Sequence, residues 1–199
     1  IEESLKAFDA LVKEGKVRYI GTSNDSAYGL TKANEISKYK GYARFESIQN
    51  NFSLLNPRFH DELANVCRLE NISLLPYSPM AGGVLSGKYC GGFYPEGSRF
   101  ATYLKESNKR VQAMAHRFVN ERTLEATKKY LELAKEYEVS PVTLAISYSK
   151  HFDFVASTIV GARKIEQLDD SLKAFDFKIS SELLKKIEII QKNILYPMG

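Results

Sequence analysis

The residues best suited to chemistry in this sequence lie in one stretch, Leu74-Leu75-Pro76-Tyr77-Ser78-Pro79-Met80-Ala81-Gly82-Gly83-Val84-Leu85-Ser86-Gly87-Lys88-Tyr89. A short apolar run stops at an aromatic ring and passes into a glycine-rich loop that carries one cation. Glycine has no Cβ and tolerates φ > 0, so such a loop lets backbone approach a ligand closely. A lysine just beyond it suits an anionic ligand. A strand followed by a plain surface turn fits the same residues, because glycine-rich loops are common.

Three other short apolar runs end in comparable groups. Val17 to Ile20 runs into Gly21-Thr22-Ser23-Asn24, Phe45-Glu46-Ser47-Ile48 into Gln49-Asn50, and Val155 to Val160 into Gly161-Ala162-Arg163. Helical periodicity separates these runs. Leu5, Phe8, Leu11 and Val12 recur at helical spacing before a stop at Gly15. Ser26 is an N-cap for a helix through Leu30, Ala33 and Ile36 that ends near Gly41, and Phe59, Leu63, Val66 and Cys67 share one face of another. Ile72 to Pro76 forms the third strand. Further helices are expected after Asn120, after Ser140-Pro141 (a serine cap with proline at the first position), around Leu168 and Leu172, and from Ser180 or Ser181. The segment from Tyr89 to about Arg110 reads as one long irregular loop, either a lid or disordered.

Strands alternating with helices imply a parallel sheet with helical cover, in which ligands gather beyond the carboxyl ends of the strands. Here all four of those ends carry hydrogen-bonding groups, an aromatic ring, or glycine with a cation. The sequence therefore predicts an α/β chain of four strand–helix units with extra C-terminal helices, and a site built across the sheet.

Composition narrows the function classes. Lysine plus arginine number 28 against 24 aspartate plus glutamate, a net charge of +4 that is small and dispersed and does not argue for nucleic acid. No apolar run approaches the ~20 residues that span a bilayer, and the start does not resemble a secretory signal. Cys67 and Cys90 show no pairing pattern and read as free thiols, which suits a reducing, cytoplasmic setting. No Cys/His cluster has metal-ligand spacing. The chain enters an amphipathic helix at Ile1 without an initiator methionine, so a cut inside a larger fold is expected.

Taken in order, these segments resemble the aldo-keto reductase family, and the tail with Tyr196-Pro197 is similar to its Tas-like branch. Lys16 to Asn24 resembles the fifth strand of that family's (β/α)8 barrel, and Ser47-Ile48-Gln49-Asn50 with Ser53-Leu54-Leu55-Asn56 the sixth. Pro76 to Gly83 with Leu85-Ser86-Gly87-Lys88-Tyr89 resembles the seventh strand and its phosphate loop. Pro95 to Phe100 resembles the loop that follows. Thr158 to Arg163 with Glu166-Gln167-Leu168 resembles the eighth strand and its helix. The resemblance covers nearly the whole chain but only the last four units of a TIM barrel, which typically takes ~250 residues. It implies that residues 1–199 are the C-terminal half of a single barrel domain, with no separate second domain and with the N-terminal half as a partner.

The resemblance further implies a nicotinamide cofactor, NADP(H). The Ser23 hydroxyl and the Asn24 and Gln49 amides would satisfy its carboxamide, which needs donors and acceptors. Tyr77 would stack on the nicotinamide ring, with barrel packing as the alternative. Ser78, Pro79, Met80, Ala81, Gly82 and Leu85 would lie along the pyrophosphate, with charge from Lys88 and a clamp from Arg99. Gly161, Ala162 and Arg163 would take the adenosine 2′-phosphate at a turn with free N–H groups, and Gln167, Asp170 and Ser171 would face the adenine. Ser171 stands where family members often have asparagine.

No catalytic residue is assigned, because the family's Asp, Tyr, Lys and His come from the first four strands. His60, His116 and His151 do not match those positions and are expected in helix or surface roles. The activity implied for an intact protein is NADPH-dependent hydride transfer to an aldehyde or ketone. The alternative is a cofactor-binding regulatory module, or a half barrel without catalysis of its own.

Overall fold

In the computed structural model, which describes residues 1–198, strands and helices alternate through the first third of the chain, and helices dominate thereafter. Helix α1 (Glu2–Lys13) precedes β1 (Ile20–Ser23), α2 (Ala27–Lys40) precedes β2 (Phe45–Gln49), and α3 (Leu63–Glu70) precedes β3 (Ser73–Leu74). The three strands pair in parallel in the order β1-β2-β3. Sequential parallel neighbours joined by helices form the kind of sheet a barrel wall has. A doubly wound sheet instead reverses its strand order.

The expected start and stop signals act locally. The Ser26 hydroxyl accepts the Gly29 N–H at 3.0 Å, and Gly41 closes α2 at φ 68°. The open-started α1 has no side-chain cap. Helix α3 stops at Asn71, which takes φ 52°, a left-handed conformation that asparagine tolerates better than most residues.

The segment expected as one long loop, Tyr89 to about Arg110, stays irregular through Gly97 but then holds one short helix and ends on the first residues of another. Helix α4 (Arg99–Lys105) starts at Ser98, whose side chain accepts the Ala101 N–H, and α5 (Lys109–Phe118) starts at Asn108. Phe100 drives this ordering. It is buried against Tyr89 and Phe118, with ring centroids 5.5 and 5.2 Å away.

Helix α6 (Glu121–Glu136) opens with a reciprocal box between Asn120 and Thr123, each side chain accepting the other's backbone N–H at 3.0 Å. Helix α7 (Pro141–Lys150) is buried from Thr143 through Ser149, as its all-round apolar character predicts. Helix α8 (Glu166–Lys173) lies on the surface with no buried residue, and α9 (Ser181–Asn193) starts at the Ser180 cap and buries Leu183 and Ile187.

The fourth strand differs from expectation. Residues 154–159 run beside β3, with Leu74 donating to Phe154 O at 2.7 Å, Ala156 to Leu74 O at 3.0 Å and Ile159 to Pro76 O at 2.8 Å. Only Val155 forms a bridge, to Leu74. Pro76 accepts a bond but has no N–H to return, so this ladder does not continue.

The core joins sheet residues Ile48 and Leu74 to Leu30, Ala33, Leu144 and Ala145. An aromatic cluster flanks it, with Phe52 stacked on Tyr148 at 5.5 Å and Phe152 on Phe154 at 5.4 Å. His60, in a short 3-10 turn (Arg58–His60), packs edge-on against Phe152 at 4.4 Å.

Candidate functional site

Beyond the carboxyl ends of β1, β2 and β3 the expected polar groups meet in one hydrogen-bonded chain. The Tyr77 hydroxyl donates to Asn24 Oδ1 at 2.7 Å, Asn24 Nδ2 donates to Ser23 Oγ at 3.0 Å, and Ser23 Oγ donates to Gln49 O at 3.1 Å. Asn24 holds φ 55°, with its N–H on Gln49 O at 3.0 Å, so the turn after β1 is tied to the end of β2. Gln49 joins through its backbone, which leaves its side-chain amide for other partners. Tyr77 is half-buried and anchored through its oxygen, which fixes the orientation of the ring.

The loop after β3 is held in left-handed backbone. Ser78, Ala81, Gly82 and Gly83 have φ of 55°, 48°, 66° and 95°. Gly82 is required by space as well as by φ, and Gly83 by its φ. A Cβ on Gly82 would lie 2.5 Å from the Phe100 ring, and one on Gly83 would lie 2.8 Å from Lys88 Nζ. The Lys88 ammonium therefore sits over bare backbone at Gly83. Ala81 and Leu85 are buried, so their side chains serve the core and only their backbone can face a ligand. Pro79 is buried, Met80 half-buried.

Two further cations lie on neighbouring elements. Arg99 is the first residue of α4 and is exposed. Arg163 reaches from the turn before α8 and donates to Gly97 O at 2.7 Å, two residues from Arg99. Among the described residues, neither of these arginines nor Lys88 pairs with a carboxylate. Like charges held near one another without counter-ions form a ready phosphate site.

Around α8 the arrangement departs from expectation. Gln167 Oε1 accepts the N–H of Arg163 at 2.9 Å and of Lys164 at 3.4 Å, so those N–H groups are not free. Asp170 is held by Lys173 at 3.1 Å, and Ser171 bonds back to Gln167 O. Gly161 and Ala162 are exposed on the same turn.

A cleft of about 270 Å³ opens beside the Tyr77–Asn24 pair. Its polar wall is Asn50, Asn51, Arg58 and Arg117. Sequence reasoning missed this wall. Asn50 reads from the sequence only as a strand end, and Arg117 lies between the expected loop and the Asn120 cap, in a stretch to which the sequence assigns no element. The one available signal was the polar Asn56-Pro57-Arg58 turn directly after β2's continuation.

Among the described residues no group of three His, Cys, Asp or Glu could hold a metal ion, and no helix is long and apolar enough to cross a membrane. Cys67 and Cys90 are free thiols, and burial pushes Cys67 up to about 11, which disfavours the reactive thiolate. His116 and His151 are exposed, the first on α5 and the second at the end of α7.

The sequence pattern described as the Aldo/keto reductase family matches residues 1–192. Protein tas of Escherichia coli is 31% identical over 195 residues, covering 98% of this chain and 54% of that protein. A putative voltage-gated potassium channel subunit beta of Schizosaccharomyces pombe is 31% identical, covering 96% and 55%. A putative aryl-alcohol dehydrogenase of the same yeast is 32% identical, covering 94% and 50%. The chain thus spans about half the length of the curated relatives it matches. From these matches and the order of its strand ends and loop, the chain belongs to the aldo/keto reductase family.

Proposed function

We propose that the protein containing this chain is an oxidoreductase that uses NADPH to reduce an aldehyde or ketone, and that residues 1–199 form the cofactor-holding half of its barrel. The observation that carries this reading is Lys88 over the bare backbone at Gly83, with Arg163 bonded to Gly97 beside Arg99 and none of the three paired with a carboxylate among the described residues. The bound cofactor would supply a hydride to the carbonyl carbon, while the carbonyl oxygen takes a proton, giving an alcohol and oxidised cofactor.

The chain's own groups would bind and orient. Ser23, Asn24 and the free Gln49 amide would match the donors and acceptors of a carboxamide, and the oxygen-anchored Tyr77 ring would present a fixed face for stacking. Backbone from Ser78 to Gly83, with Leu85, would follow the pyrophosphate, neutralised by Lys88 as a point charge and by the Arg99 fork. The Arg163 side chain would take the 2′-phosphate, because its turn's N–H groups are already satisfied by Gln167. Gln167 Nε2, Asp170 and Ser171 would flank the adenine. The proton donor and its helpers would come from the other half of the barrel.

Titration of the complete protein with NADPH, followed by the cofactor's fluorescence, tests this. Saturable binding is expected, and its absence at millimolar cofactor would overturn the reading. A second reading, a cofactor-binding module that regulates a partner, is favoured by the relative named as a potassium channel subunit beta. Carbonyl-dependent oxidation of NADPH by the complete protein would exclude that reading, and binding without turnover would support it.

A further inference from the structure

We propose that the cleft beside Tyr77 is a carboxylate subsite, so that the substrate is a carbonyl compound carrying its own carboxylate. The proposal rests on the oxidoreductase reading above and adds the substrate's chemical class to it. The cleft starts at the Tyr77–Asn24 pair, where the nicotinamide would lie, and its far wall carries Arg58 and Arg117. Among the described residues neither arginine is paired with a carboxylate.

Each guanidinium is nonetheless held in place. Arg58 stacks over the Tyr196 ring at 4.5 Å, and Arg117 Nε donates to Met198 O at 3.2 Å. Asp61, the acid that would compete for Arg58, instead accepts the Tyr196 hydroxyl at 2.8 Å. Stacking uses the face of a guanidinium and leaves its N–H edge available for a bidentate acceptor.

The amides point the same way. Asn50 Oδ1 and Asn51 Oδ1 are buried without a hydrogen-bond partner beside these cations. With each oxygen buried, the Nδ2 side of each amide is the one left accessible to donate to an anion. The cleft therefore has spare donors and cationic charge but no anion among its lining side chains. A neutral carbonyl substrate would leave that charge uncompensated, whereas a carboxylate would satisfy it.

The test is calorimetric titration of the complete protein that contains this chain with 4-carboxybenzaldehyde and with the neutral carboxamide of the same aldehyde, alongside NADPH. The carboxylate is expected to bind at least about 10-fold more tightly, and Arg58→Gln and Arg117→Gln should each remove most of that preference. Raising the salt concentration should weaken the carboxylate and spare the carboxamide, a readout that holds even if a variant folds poorly. Equal binding of the two aldehydes, no binding of either, or a preference that salt and both variants leave unchanged would overturn the subsite. If the carboxylate preference persists while NADPH fails to bind, the cofactor reading falls and the anion subsite stands. If NADPH binds and the preference is absent, the reverse holds.

Discussion

Arg163 is held by a single carbonyl bond to Gly97, so its guanidinium keeps most of its donors for an anion. Replacing it with alanine should weaken NADPH by roughly 10-fold or more, the worth of a charge-assisted contact. NADH should be nearly unaffected, because it lacks the 2′-phosphate. Fluorescence titration of both cofactors checks this, and equal loss would reassign Arg163. His60 makes a different prediction. Its enclosure by Phe52, Phe152 and Phe154, reinforced by the nearby Arg68 charge, lowers its pKa, while Asp61, Glu188 and Asp153 oppose the shift. The folded state therefore resists protonation, so stability should fall as pH drops from above 6.5 into the folded-state titration range. His60→Gln should flatten that dependence in thermal melts between about pH 7 and 5.

At the scale of elements, caps and glycines carry the checkable energetics. Ser140 Oγ accepts the Thr143 N–H at 3.0 Å at the start of α7, which is buried from Thr143 through Ser149. Ser140→Ala should cost about 1 kcal/mol in denaturant unfolding, with the slope unchanged. Gly82→Ala meets two penalties, a left-handed φ and a Cβ 2.5 Å from Phe100. It should destabilise the chain by about 1–3 kcal/mol and loosen the packing of α4 on the loop. Caps such as Ser26, Asn120, Ser140 and Ser180 were legible because each acts within three residues. Helices α4 and α5 were not. The dense Gly and Pro of residues 91–97 masked Phe100, Tyr103 and Leu104, whose spacing is helical, and only burial of Phe100 against Gly82 and Tyr89 shows why the segment orders.

For the whole molecule, β1 is bonded to β2 on one side alone, and the segment after β3 is exposed at Ile159 and Val160. Parallel sheets occur almost only with both faces covered, and an open edge presents unpaired N–H and C=O groups to another chain. The 199-residue chain by itself should therefore self-associate, unless another half barrel lies against these edges. Size-exclusion chromatography with light scattering checks this, and a well-behaved monomer at micromolar concentration would count against the half-barrel reading. The tail argues for a structural role of its own. Leu195 O, Pro197 O and Met198 O accept bonds from Arg122, Asn120 and Arg117, which pins the chain end beside the cleft.

The sequence by itself determined the α/β character, the order of strand and helix, most helix starts, and the identity of the polar strand ends. These follow from local periodicity, capping and residue chemistry. The tertiary structure alone decided three further things. Pro76 truncates the fourth ladder because a missing donor matters only once a neighbour is in place. Gln167 turns its oxygen to the N–H groups of Arg163 and Lys164 because the first turn of α8 folds back over them. Arg58 and Arg117, 59 positions apart in the chain, share one cleft with Tyr77 because folding brings them together, a juxtaposition that no window of sequence contains.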